Sequence, residues 1–111
     1  MSLKRNRKFL PFIVLGLALL PVLARAESVY VKYRGVVDLD EFRCSWVSSS
    51  FVDRICYQDD ARYLLVSLNG TYYHYCGVPE RVFSSWLQAS SKGRFYNAYV
   101  KGRYDCRYSG Y

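Results

Sequence analysis

The stretch FVDRICYQDDARYLLVSLNGTYYHYC, residues 51–76, is the best-patterned part of the chain. Asn69-Gly70 lies between two runs of β-forming residues. Both central positions of a type I′ turn need a positive φ, which Asn and Gly adopt at least cost, so this pair predicts a two-residue hairpin. The hairpin joins a strand over 63–68 to one over 71–76. A further strand over 51–57 precedes them, with Asp59-Asp60-Ala61 as its turn. These turns set the register: Leu64 faces Tyr75, Val66 faces Tyr73, and Tyr57 faces Leu64. Side chains alternate along a strand. One face therefore collects Ile55, Tyr57, Leu64, Val66, Leu68, Tyr73 and Tyr75. The other collects Cys56, Gln58, Tyr63, Leu65, Ser67, Tyr72, His74 and Cys76. The first face is the more apolar and is expected to be the core.

Downstream, Pro79 suits the first turn of a helix, where its missing N–H costs nothing. Glu80 sits at the positive end of the helix dipole. Val82, Phe83, Trp86 and Leu87 recur at helical spacing and form an apolar stripe. Gly93 is expected to end this helix. A second short helix over 95–101 pairs Phe95 with Tyr99 and Tyr96 with Val100, and Gly102 stops it. Upstream, 27–33 alternates through Val29, Val31 and Tyr33, a short extra strand. Residues 35–42 are acidic and turn-like, and Ser48-Ser49-Ser50 is a polar break. Strands followed by helices, without βαβ alternation, indicate an α+β fold. The expected architecture is an antiparallel three-stranded meander with a helix and a second short helix on one face, an additional N-terminal strand, and disulfides.

The two ends of the chain bound its setting. Lys4, Arg5, Arg7 and Lys8 precede an apolar run over 9–20. Pro21 breaks the run and Ala24-Arg25-Ala26 offers a small-x-small cleavage site, so 1–26 reads as a secretory leader. An apolar run this short, interrupted by Pro11, does not make a membrane span of about 20 residues. Stable membrane insertion after cleavage is therefore not expected. The whole chain carries a net charge of +7. The leader holds five of the sixteen bases and no acid, which leaves eleven bases against nine acids, net +2. Most of the basic excess that would suggest a polyanion partner thus departs with the leader.

All four cysteines, Cys44, Cys56, Cys76 and Cys106, belong to the exported part. An even number in a small exported domain implies two disulfides. Strand 63–68 should run between Cys56 and Cys76. Two strand spacings exceed about 9 Å, whereas bridged Cα atoms lie within about 7 Å. That disfavours Cys56–Cys76, and with it Cys44–Cys106. Of the two patterns left, Cys44–Cys56 with Cys76–Cys106 is preferred.

With these residues in view, the chain resembles the KTSC domain, a short bacterial module named for its place at the C-terminus of some lysyl-tRNA synthetases. The resemblance rests on Ser49-Ser50, Ile55-Cys56-Tyr57-Gln58-Asp59, Leu64-x-Val66, Tyr73-His74-Tyr75, Val78-Pro79, Ser91-x-Gly93 and Phe95-Tyr96-Asn97. It divides the chain into a leader (1–26), an N-terminal extension (27–48), a KTSC-like domain (49–104) and a C-terminal tail (105–111). Tyr73, Tyr75, Gly93, Phe95 and Asn97 carry the family motif. Cys56 departs from the pattern, standing where the family usually has glycine. The cysteines, the extension and the leader resemble an exported branch. The family that the chain resembles has no established catalytic activity, so none is expected here. It brings a suggestion of RNA binding, which fits poorly with export away from cytoplasmic tRNA.

Each of the chemistry-bearing residues also has a plainer role. A structural zinc favours paired C-x-x-C spacing, whereas here the close pair is His74-x-Cys76, and an oxidising compartment favours disulfides. A Cys/His nucleophile needs a free thiolate and an orienting third group. Neither is evident, so no catalytic residue, metal ligand or cofactor is assigned. Asn69-Gly70-Thr71 matches a glycosylation sequon, but turn chemistry accounts for it. Tyrosine is the unusual feature: all twelve lie beyond the leader. β-Propensity and core packing account for Tyr57, Tyr73 and Tyr75, but not for Tyr104, Tyr108 and Tyr111. From residue 92 onward five bases face one acid among six aromatics. Lys92, Arg94, Lys101, Arg103, Arg107, Tyr104 and Tyr108 are therefore the candidate binding residues. The expected function is that of a small exported, non-catalytic binding or structural module, periplasmic or extracellular, with a protein or glycan partner. RNA or other nucleic-acid binding through the basic tail is the alternative.

Overall fold

The computed structural model describes residues 26–108, and of Tyr108 the backbone alone. Residues 1–25, which hold all but the last residue of the expected leader, and the final three residues, Tyr111 among them, lie outside the described residues. The strands are β1 (Ser28–Val31), β2 (Gly35–Asp38), β3 (Arg43–Trp46), β4 (Val52–Gln58), β5 (Tyr63–Leu68) and β6 (Thr71–Tyr75). Helix α1 (Glu80–Gln88) and helix α2 (Lys92–Phe95) follow. A π-helical turn, Tyr96–Val100, and a 3-10 turn, Cys106–Tyr108, complete the elements.

The β4–β5–β6 meander forms as the turn chemistry requires. Asn69 and Gly70 take φ of 49° and 87°. Leu64 lies opposite Tyr75, Val66 opposite Tyr73, and Tyr57 opposite Leu64. Asp53 reinforces the turn, its Oδ2 accepting hydrogen bonds from the Gly70 N–H and the Ser67 hydroxyl at 2.7 and 2.9 Å.

The sheet is larger than a three-stranded meander. It has six strands in the order β2-β1-β6-β5-β4-β3 and is mixed, because β1 runs parallel to β6 while every other pair is antiparallel. The β1–β6 contact is short. Val31 pairs with Tyr72, and the Lys32 N–H donates to the Tyr72 carbonyl at 2.9 Å. Residues 35–42, expected as a turn, supply edge strand β2. Residues 43–46, for which no element is expected, form the opposite edge, β3.

Both sheet faces are buried, which corrects the expectation of a single core face. On one face Ile55, Tyr57, Leu64 and Val66 pack with Val78, Phe83, Trp86, Tyr96 and Val100. Tyr75 joins them partly, but Tyr73 does not. On the other face Cys56, Tyr63, Leu65 and Cys76 pack with Val31, Leu39 and Cys106. Val37 of β2 and Cys44 of β3 also touch this second cluster, although they come from opposite edges of the sheet. The sheet therefore curls into a half-barrel around it. Arg54 of β4 spans the curl and donates to both carboxylate oxygens of Glu27, just before β1, at 2.7 and 3.1 Å.

Two disulfides fasten this second face. Cys44 lies directly opposite Cys56 on β3 and β4 and is bonded to it, and Cys76 is bonded to Cys106. The helical part differs from expectation in its boundaries. Pro79 is the N-cap of α1 and not a residue of its first turn, and the backbone turns extended at Ala89. Gly93 lies inside α2 and does not terminate a helix. What Gly93 permits is close packing: a β-carbon there would stand 2.6 Å from Cε1 of Phe51.

Candidate functional site

Two clefts gather the polar and aromatic side chains of interest. The smaller, about 340 Å³, lies where the Ser48–Phe51 approach to β4 meets α2. It is lined by Ser48, Ser49, Ser50, Ser90, Ser91, Lys92, Arg94 and Asn97. Most of these polar groups serve the fold. Ser91 Oγ accepts from the Arg94 N–H as the N-cap of α2, Ser49 Oγ faces the Phe51 and Val52 N–H groups, and Lys92 Nζ donates to the Ala89 carbonyl. The Lys92 carbonyl accepts from the Trp86 indole at 3.0 Å.

The larger cleft, about 710 Å³, opens beside the end of β6. Three segments build it. The β1–β2 turn contributes Lys32 and Tyr33, β6 contributes Tyr73, His74 and Tyr75, and the tail contributes Arg103, Asp105 and Arg107. Tyr33 takes φ of 70°, and Gly35 follows at 97°. This left-handed turn holds the Tyr33 ring out, 83 % exposed. The Lys32 ammonium stands 5.5 Å from the centre of the Tyr33 ring and 5.9 Å from that of Tyr73, within cation–π range. The Cys76–Cys106 disulfide and the hydrogen bond from the Cys76 N–H to the Tyr104 carbonyl, 2.8 Å, hold the tail wall in place.

The electrostatics of this cleft are uneven. Arg107 donates to Asp105 through Nε and Nη2 at 2.9 and 2.6 Å, and these bonds hold the Asp105 carboxyl below its usual range. Among the described residues, Lys32 and Arg103 have no carboxylate partner. His74 Nδ1 lies 2.8 Å from the Tyr63 hydroxyl. Burial lowers the His74 pKa, the Arg34 charge lowers it further, and Asp105 opposes the shift. Tyr75 shares a 2.8 Å hydrogen bond with the Tyr96 hydroxyl, and burial raises its pKa. It is thus a neutral phenol fixed at the cleft floor.

The candidate binding residues do not form one footprint. Lys92 and Arg94 belong to the smaller cleft, Arg103 and Arg107 to the larger, and Lys101 is exposed and lines neither. Tyr104 packs against the first core and is not a free ring. The Tyr108 side chain lies outside the described residues. Of the motif residues, Gly93 and Asn97 line the smaller cleft and Tyr73 and Tyr75 the larger, whereas Phe95 stacks on Trp86 at 5.6 Å. Sequence reasoning missed Lys32 and Tyr33, because nothing local indicates that the β1–β2 turn lands beside β6. It also missed Arg54. Its side chain is 9 % exposed, its guanidinium lies 4.4 Å over the Trp46 ring, and its Nε has no partner among the described residues.

Among the described residues, no three His, Cys, Asp or Glu side chains gather into a group that could hold a metal ion, and no cysteine is free. No helix among them is long and apolar enough to cross a membrane. Two disulfides are the state expected of a chain that matures in a non-reducing compartment.

Comparison with known proteins places this geometry in context. Residues 48–104 match the family described as the KTSC domain. The crystal structure of a KTSC domain protein from Yersinia pestis is similar, with 37 % identity and a TM-score of 0.55 over 58 % of this chain and 92 % of that one. No curated protein matches the chain.

Proposed function

The chain belongs to the KTSC domain family, and from that membership we propose that it is an exported, non-catalytic binding module that takes its ligand in the larger cleft. The observation that carries this reading is the cleft itself. It is a concavity of about 710 Å³ with the exposed Tyr33 ring, the half-buried Tyr73 and Tyr75, two cations that have no carboxylate partner among the described residues, and a tail wall fastened by a disulfide. Clefts of about 300–1,000 Å³ with a few placed polar groups are typical ligand sites. The non-catalytic part is supported by both disulfides being formed, which leaves no thiolate nucleophile. Export is supported by the leader pattern and by the disulfides.

The experiment has two readouts on the full chain expressed in a bacterium. Mass spectrometry of the exported product should find Glu27 as the first residue and no free thiol; a product that retains residues 1–20 overturns export. Affinity capture with the oxidised product should yield partners whose retention is lost on Tyr33→Ala. Capture indifferent to that substitution removes the larger cleft as the site. The nucleic-acid reading is the weaker one, because the tail bases are split between two clefts and Arg107 is occupied by Asp105. A patch of two cations predicts a log–log salt slope of only about −2 and weak non-specific affinity.

A further inference from the structure

We propose that the ligand of the larger cleft is an anionic oligosaccharide, with Tyr33 and Tyr73 as stacking platforms for its sugar rings and Lys32 and Arg103 as partners of its carboxylate or sulfate groups. The inference rests on the reading of the chain as a binding module and specifies what it binds. A pyranose has an apolar C–H face and a rim of hydroxyls, so it suits a flat amphipathic ring with polar groups at the edge. The cleft supplies that arrangement. Two tyrosine rings lie under one lysine ammonium, which places them within one side chain's span of each other. Tyr33 stands on a left-handed backbone turn with its ring exposed, so its face is open to a ligand.

The charge selects an anion and limits its size. Arg107 is already bonded to Asp105, and the cations of the cleft left without a carboxylate among the described residues are Lys32 and Arg103. Two cations suit one or two acid groups on a short saccharide. They provide no track for a polyphosphate backbone, and Lys92 and Arg94 line a different cleft. The site is a concavity, whereas protein partners mostly dock over broad surfaces of about 800 Å² per side. A small, ring-bearing anion is the chemistry this shape recognises.

The test titrates the exported, oxidised protein by calorimetry with four probes: trigalacturonate, a sulfated heparin tetrasaccharide, neutral chitotriose and an eight-residue oligothymidylate. At least one of the two acidic saccharides should bind at least tenfold tighter than chitotriose, more weakly as salt rises, and the two arms tell carboxylate from sulfate recognition. Tyr33→Ala and Arg103→Gln should each weaken binding at least fivefold with unchanged melting temperature, while Tyr33→Phe should retain it within about twofold. Equal binding of chitotriose, with the same loss on Tyr33→Ala, overturns the anionic class but leaves the binding module standing. Saccharide binding indifferent to Tyr33 and Arg103, or tighter binding of the oligothymidylate through those residues, overturns the proposal. So does the absence of binding by every saccharide, while capture of another partner that depends on Tyr33 would still uphold the module.

Discussion

At Gly93 a β-carbon would meet the ring of Phe51 at 2.6 Å, closer than packed carbons approach. Alanine favours a helix over glycine by about 1 kcal/mol, but overpacking typically costs about 1–3 kcal/mol. The clash wins, because the Phe51 ring is itself held against Tyr96 at 6.0 Å. Gly93→Ala should lower stability by about 1 kcal/mol in urea unfolding, and Phe51→Leu in the same chain should recover part of it. A neutral or stabilising Gly93→Ala would show that the ring moves freely. His74 gives a second prediction. Its folded pKa lies below the ordinary 6.5, chiefly through burial, so the unfolded chain takes up the proton first as pH falls. Stability from this group is complete above about pH 6.5 and is lost as pH drops from there toward the lowered folded value. Melting temperature should decline across that window, and His74→Gln should flatten the decline.

At the scale of elements, α1 contributes most through Trp86, fully buried between Phe95 and Tyr96. Trp86→Ala should cost about 3–5 kcal/mol in chemical denaturation; a loss under about 1 kcal/mol would mean that the helix does not hold its place on the sheet. This helix and the meander were legible because their signals are local: Asn69-Gly70 dictates a turn, and the 82, 83, 86, 87 spacing dictates a face. β2 escaped notice because Val36 and Asp38 point to solvent between Gly35 and Val37, a half-buried edge that reads as a polar turn. β3, Arg43-Cys44-Ser45-Trp46, has no β-branched residue and owes its place to pairing with β4 and the bond to Cys56. The second core was half visible, since Tyr63 and Leu65 were apolar on the wrong face, but the residues that cover it come from β1 and β2. The larger cleft was illegible for the same reason, because it is assembled by a parallel pairing that no neighbouring residues announce.

For the molecule as a whole, closure of the curl depends on the Glu27–Arg54 pair and the two disulfides. Arg54 is the buried member and Glu27 is half exposed. Removing Glu27 strands a guanidinium away from water, whereas removing Arg54 leaves a carboxylate that can turn to solvent. Glu27→Ala should therefore lower the urea midpoint more than Arg54→Met does. Reduction should be costlier still: the separations of 12 and 30 residues correspond to about 3 and about 4 kcal/mol of lost constraint on the unfolded chain. Dithiothreitol should lower the melting temperature steeply, with Cys76→Ser/Cys106→Ser more harmful than Cys44→Ser/Cys56→Ser. The parallel contact of Val31 with Tyr72 also has a temporal side. The chain is delivered from the N-terminus, so the β1–β2 hairpin, complete at Asp38, precedes the strand that receives it, which starts at Thr71. A lone two-stranded hairpin is marginal in water, and Val29, Val31 and Val37 stay uncovered until β6 arrives. The β1–β2 hairpin must wait for the middle of the chain, and any delay in delivering residues 39–71 lengthens the interval in which its apolar side is open to other chains.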